Sequence, residues 1–261
     1  MHPLPLFFEG TAFILFLFIL AWFWARRCDN YSLVDAFWSA GMGLISILFL
    51  LGPGAWSAKK GTIAFLVATW SVRLSWHLGY RIAKHHPQED RRYQNLRDAW
   101  KNNEKLFSFL FFQAQALSVL FLAFPFLLIG IDQNREWNSW ELAGCCLLTI
   151  AILGETIADK QLAGFKKTEP HHSAICEEGI WKYSRHPNYF FESLVWMSFY
   201  LIIAGSPQGW LSFYAPATII FLLLKVTGIP PAEASSLRSK GEAYRQYQQK
   251  TSIFIPWFPK K

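Results

Sequence analysis

Residues 6–25 read LFFEGTAFILFLFILAWFWA, a run with a single charged position, ended by Arg26 and Arg27. In a helix this run covers about 30 Å, the thickness of a bilayer's hydrocarbon core. It lacks a basic start and a small-residue cleavage site, so it reads as a retained span and not as a secretory leader. The pattern recurs at 33–51, 61–80, 107–131, 140–158, 189–204 and 210–227. The last two runs are separated only by Gly205-Ser-Pro-Gln-Gly209, whose composition predicts a tight turn and a helical hairpin. The expected fold is therefore all-α. It is a multi-pass integral membrane protein with seven transmembrane helices in a single membrane domain, 1–261. The tail, 228–261, is expected to carry a cytosolic amphipathic helix.

Composition leads to the same place. The 261 residues are 52% hydrophobic, 18% aromatic and only 16% charged, against about 25% charged in an average soluble domain. The 24 Phe and 13 Trp exceed what one soluble core of this size needs, and the mean hydropathy of +0.18 is an average over apolar blocks and polar connections. A disordered chain, a basic nucleic-acid-binding domain and an ordinary cytosolic globule are excluded. Lys and Arg are unevenly shared: the first, third and fifth loops and the tail carry two, seven, five and six, whereas the second, fourth and sixth loops carry two, one and none. By the positive-inside rule the rich segments are cytoplasmic and the N-terminus is outside. The net charge of +7 is then topological and needs no nucleic acid. The four cysteines form no disulfide framework: Cys145 and Cys146 lie in a span, Cys28 and Cys176 in cytoplasmic loops.

Ionisable side chains within spans are costly and point to function. Here they gather toward the inner face. Asp35 starts the second span. Arg73, His77 and Arg81 follow one another at i, i+4 and i+8 on the third. Glu155, Asp159, Leu162 and Lys166 share a face leaving the fifth, Asn188 and Glu192 lie one turn apart at the start of the sixth, and Lys225 ends the seventh. The reading is a polar cavity open to the cytosol and walled by apolar helices. Plainer readings stand beside it: Arg81 and Lys225 can snorkel to headgroups, and Asp35 can pair with Arg26 or Arg73 for structural reasons. The third-loop stretch from Arg81 to Tyr93 suits either lipid headgroups or a cofactor's phosphates.

In the fifth loop, 179–192 reads GIWKYSRHPNYFFE, where Ser184 or His186 can cap a helix, Pro187 suits its first turn, and Asn188 and Glu192 face one way. The tail places Tyr244 and Tyr247 on adjacent turns, and its apolar end at 251–256 is expected to dip into the membrane interface. No phosphate-binding loop, dinucleotide fingerprint, zinc-protease helix or serine-hydrolase elbow is present. Gly41-Met-Gly43 lies within a span and reads as close helix packing, and His171, His172 and Cys176 fall short of a zinc set. No metal is expected. Acids, amides and cations without a metal cage suit a charged organic cofactor that brings its own chemistry.

Three segments carry a resemblance: 31–38 (YSLVDAFW), 70–74 (WSVRL) through 89–93 (EDRRY), and 179–192 together with the tail from Tyr244 to Pro256. They resemble the bacterial DUF1295 family, within the superfamily of steroid 5-alpha-reductases, sterol reductases and isoprenylcysteine methyltransferases. The resemblance implies seven helices around an NADPH cavity that opens to the cytosol, in the bacterial cytoplasmic membrane. It implies that Asp159, Lys166, Asn188 and Glu192 hold the cofactor, with Arg73 nearby. Arg81, Tyr189, Tyr244 and Tyr247 complete the cofactor-binding candidates, and Asp35, Arg73, His77 and Glu192 are the catalytic ones. Phe191 stands where the superfamily usually has Gly, and Trp70 where steroid enzymes have a substrate-polarising Tyr; Asp35 is the nearest counterpart to that tyrosine's acidic partner. The expected activity is NADPH-dependent reduction of an activated C=C bond in a steroid-, isoprenoid- or enoyl-like lipid that enters from the bilayer. The alternatives are S-adenosylmethionine-dependent methylation of a lipid or prenylcysteine, and non-catalytic lipid binding.

Overall fold

A computed structural model describes residues 3–52, 56–169 and 174–260. The described residues are helical, with turns and no strand. They divide into two compact units, Met1–Trp137 with Ser206–Gln208, and Asn138–Gly205 with Gly209–Lys261.

The first unit holds α1 (Pro3–Arg27), α2 (Leu33–Leu51), α3 (Ala58–His85), α4 (Arg91–Ala99), α5 (Glu104–Ala123) and α6 (Pro125–Ile131). The second helix is central, packing on α1, α3, α5 and α6. Only one stripe of α1 is buried: Leu6, Gly10, Ile14, Phe18, Ala21 and Ala25 recur every three or four residues. Phe8, Phe16, Phe23 and Trp24 point outward at about 60% exposure. Such an apolar outer face is unfavourable in water and suits acyl chains. Where α2 meets α3, Gly43 is required, because a Cβ there would collide with the Ser71 side chain. Ser71 Oγ in turn donates to the Ser39 carbonyl at 2.8 Å. The sequence reading of this glycine pair as close helix packing is what the geometry contains.

The second unit holds α7 (Ser139–Thr168), α8 (Pro187–Ala204), α9 (Tyr214–Phe221) and α10 (Ile229–Lys250). A capping box starts α7: Glu141 N donates to Asn138 Oδ1 at 2.9 Å and Asn138 N to Glu141 Oε2 at 3.0 Å. Antiparallel to it, α8 sets Ser198 and Ile202 against Gly144 and Phe191 against Gly154. The bulky Phe191 thus fills a notch that a glycine leaves on the facing helix.

Five segments are long and apolar enough to cross a membrane: α1, α2, α5, α7 and the run Gly209–Lys250. This is consistent with an integral membrane protein. The apolar part of that last run ends at Val226; α10 beyond it is polar and outside the spanning stretch. The third and sixth predicted runs are helical and long enough, as α3 and α8, but their charged and amide side chains leave them less apolar than those five. Several boundaries differ from expectation. The fourth run is broken between Ala123 and Pro125, since proline has no N–H to continue the ladder. The fifth helix continues ten residues past Ala158, as α7 ends at Thr168. The seventh begins as a 3₁₀ turn (Gly209–Phe213) and ends in a π turn (Leu222–Val226) with Thr227 N bonded to the Leu222 carbonyl at 2.8 Å. Pro230 and Pro231 then occupy the first turn of α10, where their missing N–H groups cost no helical bond. The predicted tail helix forms as α10, bent at Gly241 (φ 56°).

Candidate functional site

The 185–192 segment does two different jobs. Its first two residues are anchors. Arg185, 8% exposed, grips Glu233 of α10 through Nε (3.0 Å) and Nη2 (3.2 Å), and its Nη1 donates to the carbonyls of Gln248 (2.9 Å) and Thr251 (2.7 Å). His186 Nε2 and Tyr244 Oη each donate to Glu233 Oε1 at 2.8 Å, and Gln248 Nε2 donates to Oε2. Burial opposes ionisation of Glu233, yet the bonds from His186, Arg185, Tyr244 and Gln248 hold its carboxyl far below the usual range. The same burial, with that carboxylate alongside, pushes the Tyr244 phenol up. Ser184 Oγ donates to the Phe254 carbonyl at 2.7 Å, and the Tyr247 hydroxyl to the Trp181 carbonyl, so the returning tail is fastened along its length.

From this anchorage α8 begins with Pro187 in its first turn and His186 at its cap position, whose side chain bonds Glu233 and not the helix's own N–H groups. The next polar groups, Asn188, Tyr189 and Glu192, are half-buried on the first turns. The Tyr189 ring stacks on His186 at 5.5 Å between centroids, and Glu192 Oε1 accepts from Trp196 Nε1 at 2.9 Å. The register of α7 against α8 puts Glu155 and Asp159 at the level where Asn188 and Glu192 leave α8. Further along α7, Lys166 stands near Lys240 of α10. Burial and the Lys166 charge push the Lys240 ammonium down, while Cys176 works the other way.

The first unit has its own polar centre. Asp35 accepts from Arg92 Nη2 at 2.9 Å and from the Tyr93 hydroxyl. Arg92 also holds Asp90 at 3.1 Å. Burial works against the Asp90 carboxylate, but the Arg92 bonds and charge keep it below its ordinary value. Burial first, then Asp35, push the Tyr93 phenol well up. Alongside, Arg97 pairs with Glu89 (2.9 Å), Asp29 (2.8 Å) and Glu104 (3.1 Å) and lies over the Tyr31 ring at 4.0 Å. The two motifs 31–38 and 89–93 are thus sewn together: Asp90 N bonds Ser32 Oγ at 3.0 Å, and Tyr31 N bonds Glu89. Arg73 and His77 are half-buried on α3 and Arg81 is exposed at its far end, while Trp70 is fully buried.

The sequence-predicted residues therefore fall into two groups. Asp159, Lys166, Asn188, Tyr189, Glu192, Tyr244 and Tyr247 belong to the second unit; Asp35, Arg73, His77 and Arg81 belong to the first. Tyr244 and Tyr247 are buried with their hydroxyls engaged inside their unit. The residues that reasoning missed are Glu233, Gln248, Arg92 and Tyr93. A lone Glu following Pro230-Pro231 in a polar tail carried no periodic signal. Arg92 and Tyr93 fall in the 81–93 stretch that reads as suiting lipid headgroups or a cofactor's phosphates, and the structure makes them partners of Asp35. Among the described residues no group of three His, Cys, Asp or Glu could hold a metal ion, and His171 and His172 lie outside them.

A family profile described as "Protein of unknown function (DUF1295)" matches residues 21–251. The chain belongs to this family. The DUF1295 match runs from the last turns of α1 to the end of α10, so it includes both the Asp35 centre and the Glu233 anchorage. An uncharacterized protein, C594.04c of Schizosaccharomyces pombe, is 26% identical over 255 residues, covering 87% of this chain and 73% of the relative. No solved structure matches.

Proposed function

We propose that this DUF1295 protein is an NADPH-dependent reductase of an activated C=C bond in a steroid-, isoprenoid- or enoyl-like lipid. The carrying observation is the division within 185–192. Arg185 and His186 are locked to Glu233, and the next turns of a rigid helix present Asn188, Tyr189 and Glu192 at the level of Glu155 and Asp159. Preorganised polar groups on a rigid element are what a positioned cofactor needs. The donor set fits the group: an amide and a carboxylate one turn apart match a carboxamide's donor and acceptor. Lys166 beside Lys240 makes a doubly cationic spot suited to phosphoryl oxygens. When bound, NADPH would supply the hydride. Asn188 and Glu192 would orient the carboxamide end, and Asp159, Lys166 and Lys240 would hold the nucleotide end.

Reduction of an enone builds negative charge on the carbonyl oxygen, so a donor is required there. Arg73 and His77, one turn apart on the polar stripe of α3, are the proposed donors. Asp35 already accepts two hydrogen bonds, which fits a positioning role for Tyr93 and Arg92 better than proton donation. In this reading α3 and α8 also span the membrane, giving seven spans, an outside N-terminus and a cytoplasmic C-terminus in a bacterial cytoplasmic membrane. Reporter fusions after Lys261 and within 133–137 test the orientation.

The functional test is ligand titration of the purified protein. NADPH should raise the melting temperature saturably, Asn188→Ala should weaken binding about tenfold, and Glu192→Gln should lower turnover with little loss of stability. Unchanged NADPH binding in Asn188→Ala removes the site. Stabilisation by S-adenosylmethionine instead replaces reduction by methyl transfer, and stabilisation by neither leaves a lipid-binding protein.

A further inference from the structure

An apolar cleft of about 290 Å³ opens within the first unit, between the end of α1, the start of α2 and the last turns of α3. Trp24, Cys28, Leu33, Gly79 and Ile82 line it, with Asn30 on its wall. At the lower edge of the roughly 300–1,000 Å³ typical of ligand clefts, it is too small for a dinucleotide and suits part of a molecule. Two features mark it as a binding site. Gly79 leaves real space, since a Cβ built there meets nothing within 4 Å. Asn30 is 1% exposed, its Oδ1 accepts from Ser32 N at 3.0 Å, and its Nδ2 is buried with no acceptor among the described residues. A buried amide donor without an acceptor costs free energy that a ligand oxygen can recover.

Cations occupy the last helical turns that adjoin the lining: Arg26 and Arg27 precede Cys28 at the end of α1, and Lys84 and His85 lie between Ala83 and His86 at the end of α3. The one carboxylate within the same stretch of α1–α2 connection, Asp29, is paired with Arg97 at 2.8 Å. An apolar slot, one isolated donor and cations in the adjoining helix ends are complementary to an anionic glycerophospholipid. We infer that the cleft binds such a lipid. Its acyl chain enters past Gly79, an ester carbonyl accepts from Asn30 Nδ2, and its phosphate meets Arg27 and Lys84. Nothing in this site belongs to the proposed reductase residues, so each can fail without the other.

The experiment uses delipidated full-length protein in detergent, with dioleoyl phosphatidylglycerol, dioleoyl phosphatidylcholine and oleate as probes and native mass spectrometry as readout. Phosphatidylglycerol should bind saturably and tightest. Gly79→Phe, which fills the slot, should lower its affinity at least tenfold while NADPH binding stays as in the unsubstituted protein. The pair Arg27→Gln and Lys84→Gln should cost roughly 30-fold, the worth of two near-surface cations, and bring phosphatidylglycerol down to phosphatidylcholine, itself unchanged. Wild-type binding by a folded Gly79→Phe overturns the inference. So does a preference for phosphatidylglycerol that survives in the double variant, which remains informative if Gly79→Phe does not fold. Oleate binding as tightly as phosphatidylglycerol also overturns it, since the site would then read a free carboxylate.

Discussion

Replacing Glu233 by Gln changes almost no volume but removes the charge on which the 185–192 segment rests. Oε1 accepts from Arg185, His186 and Tyr244, and Oε2 from Arg185 and Gln248. Whichever way the new amide turns, its NH2 group faces donors. Arg185 is left as a guanidinium at 8% exposure without its carboxylate. Removing one partner of a buried pair costs about 3–5 kcal/mol. For a chain of this size each kcal/mol shifts the melting temperature by about 2–4 °C, so a drop of roughly 6–20 °C is expected. The assay is thermal unfolding in detergent, followed by limited proteolysis at the Gly241 bend, where the loosened tail should be cut first. Glu242→Gln is the control. Its 3.4 Å pair with Arg245 is exposed on both sides, and such pairs contribute about 0.5 kcal/mol or less. If Glu233→Gln melts within about 2 °C of the unsubstituted protein and its tail resists protease, the carboxylate is not what fastens α10 to the segment before α8.

The same group sets a pH dependence. Because the folded carboxyl of Glu233 is depressed, its stabilisation is complete above the ordinary carboxylate value near 4.5 and is lost progressively as pH falls below it toward the folded value. Melting curves from pH 6 downward should show that loss, and Glu233→Gln should show a smaller one, the depressed Asp90 carboxyl contributing what remains. Gly43→Ala should destabilise the α2–α3 contact by about 1–3 kcal/mol through overpacking against Ser71, with recovery in the Gly43→Ala, Ser71→Gly double variant; failure to recover refutes the contact as the cause. Asp35→Asn should lower stability by about 1 kcal/mol, the Arg92 pair being partly exposed, and in a double-mutant cycle with Arg92→Gln the combined cost should fall short of the sum, the remainder for Arg92 being its separate pair with Asp90.

Legibility followed the range of the forces involved. Asn188 and Glu192 could be placed together because helical periodicity is local, and Pro187 marked the first turn of α8 for the same reason. The partner of Asp35 could not be chosen that way. Arg26 and Arg73 were the candidates, whereas Arg92 and Tyr93 hold it from 57 and 58 residues away. Tyr244 and Tyr247 were correctly set on adjacent turns of one helix, but their hydroxyls face their own unit.

The helical class, the segregation of apolar runs and the positions of most helices follow from residue order alone, since segments of this hydropathy have few ways to satisfy their backbone other than as helices. Two things were set only once the chain had folded. One was where polar side chains meet: Glu233 joins a tail helix to a loop 47 residues earlier, and no periodicity spans that gap. The other was where close packing demands a glycine, as at Gly43 under Ser71 and Gly154 under Phe191. Both depend on side chains converging from distant helices, and that convergence is a property of the packed molecule.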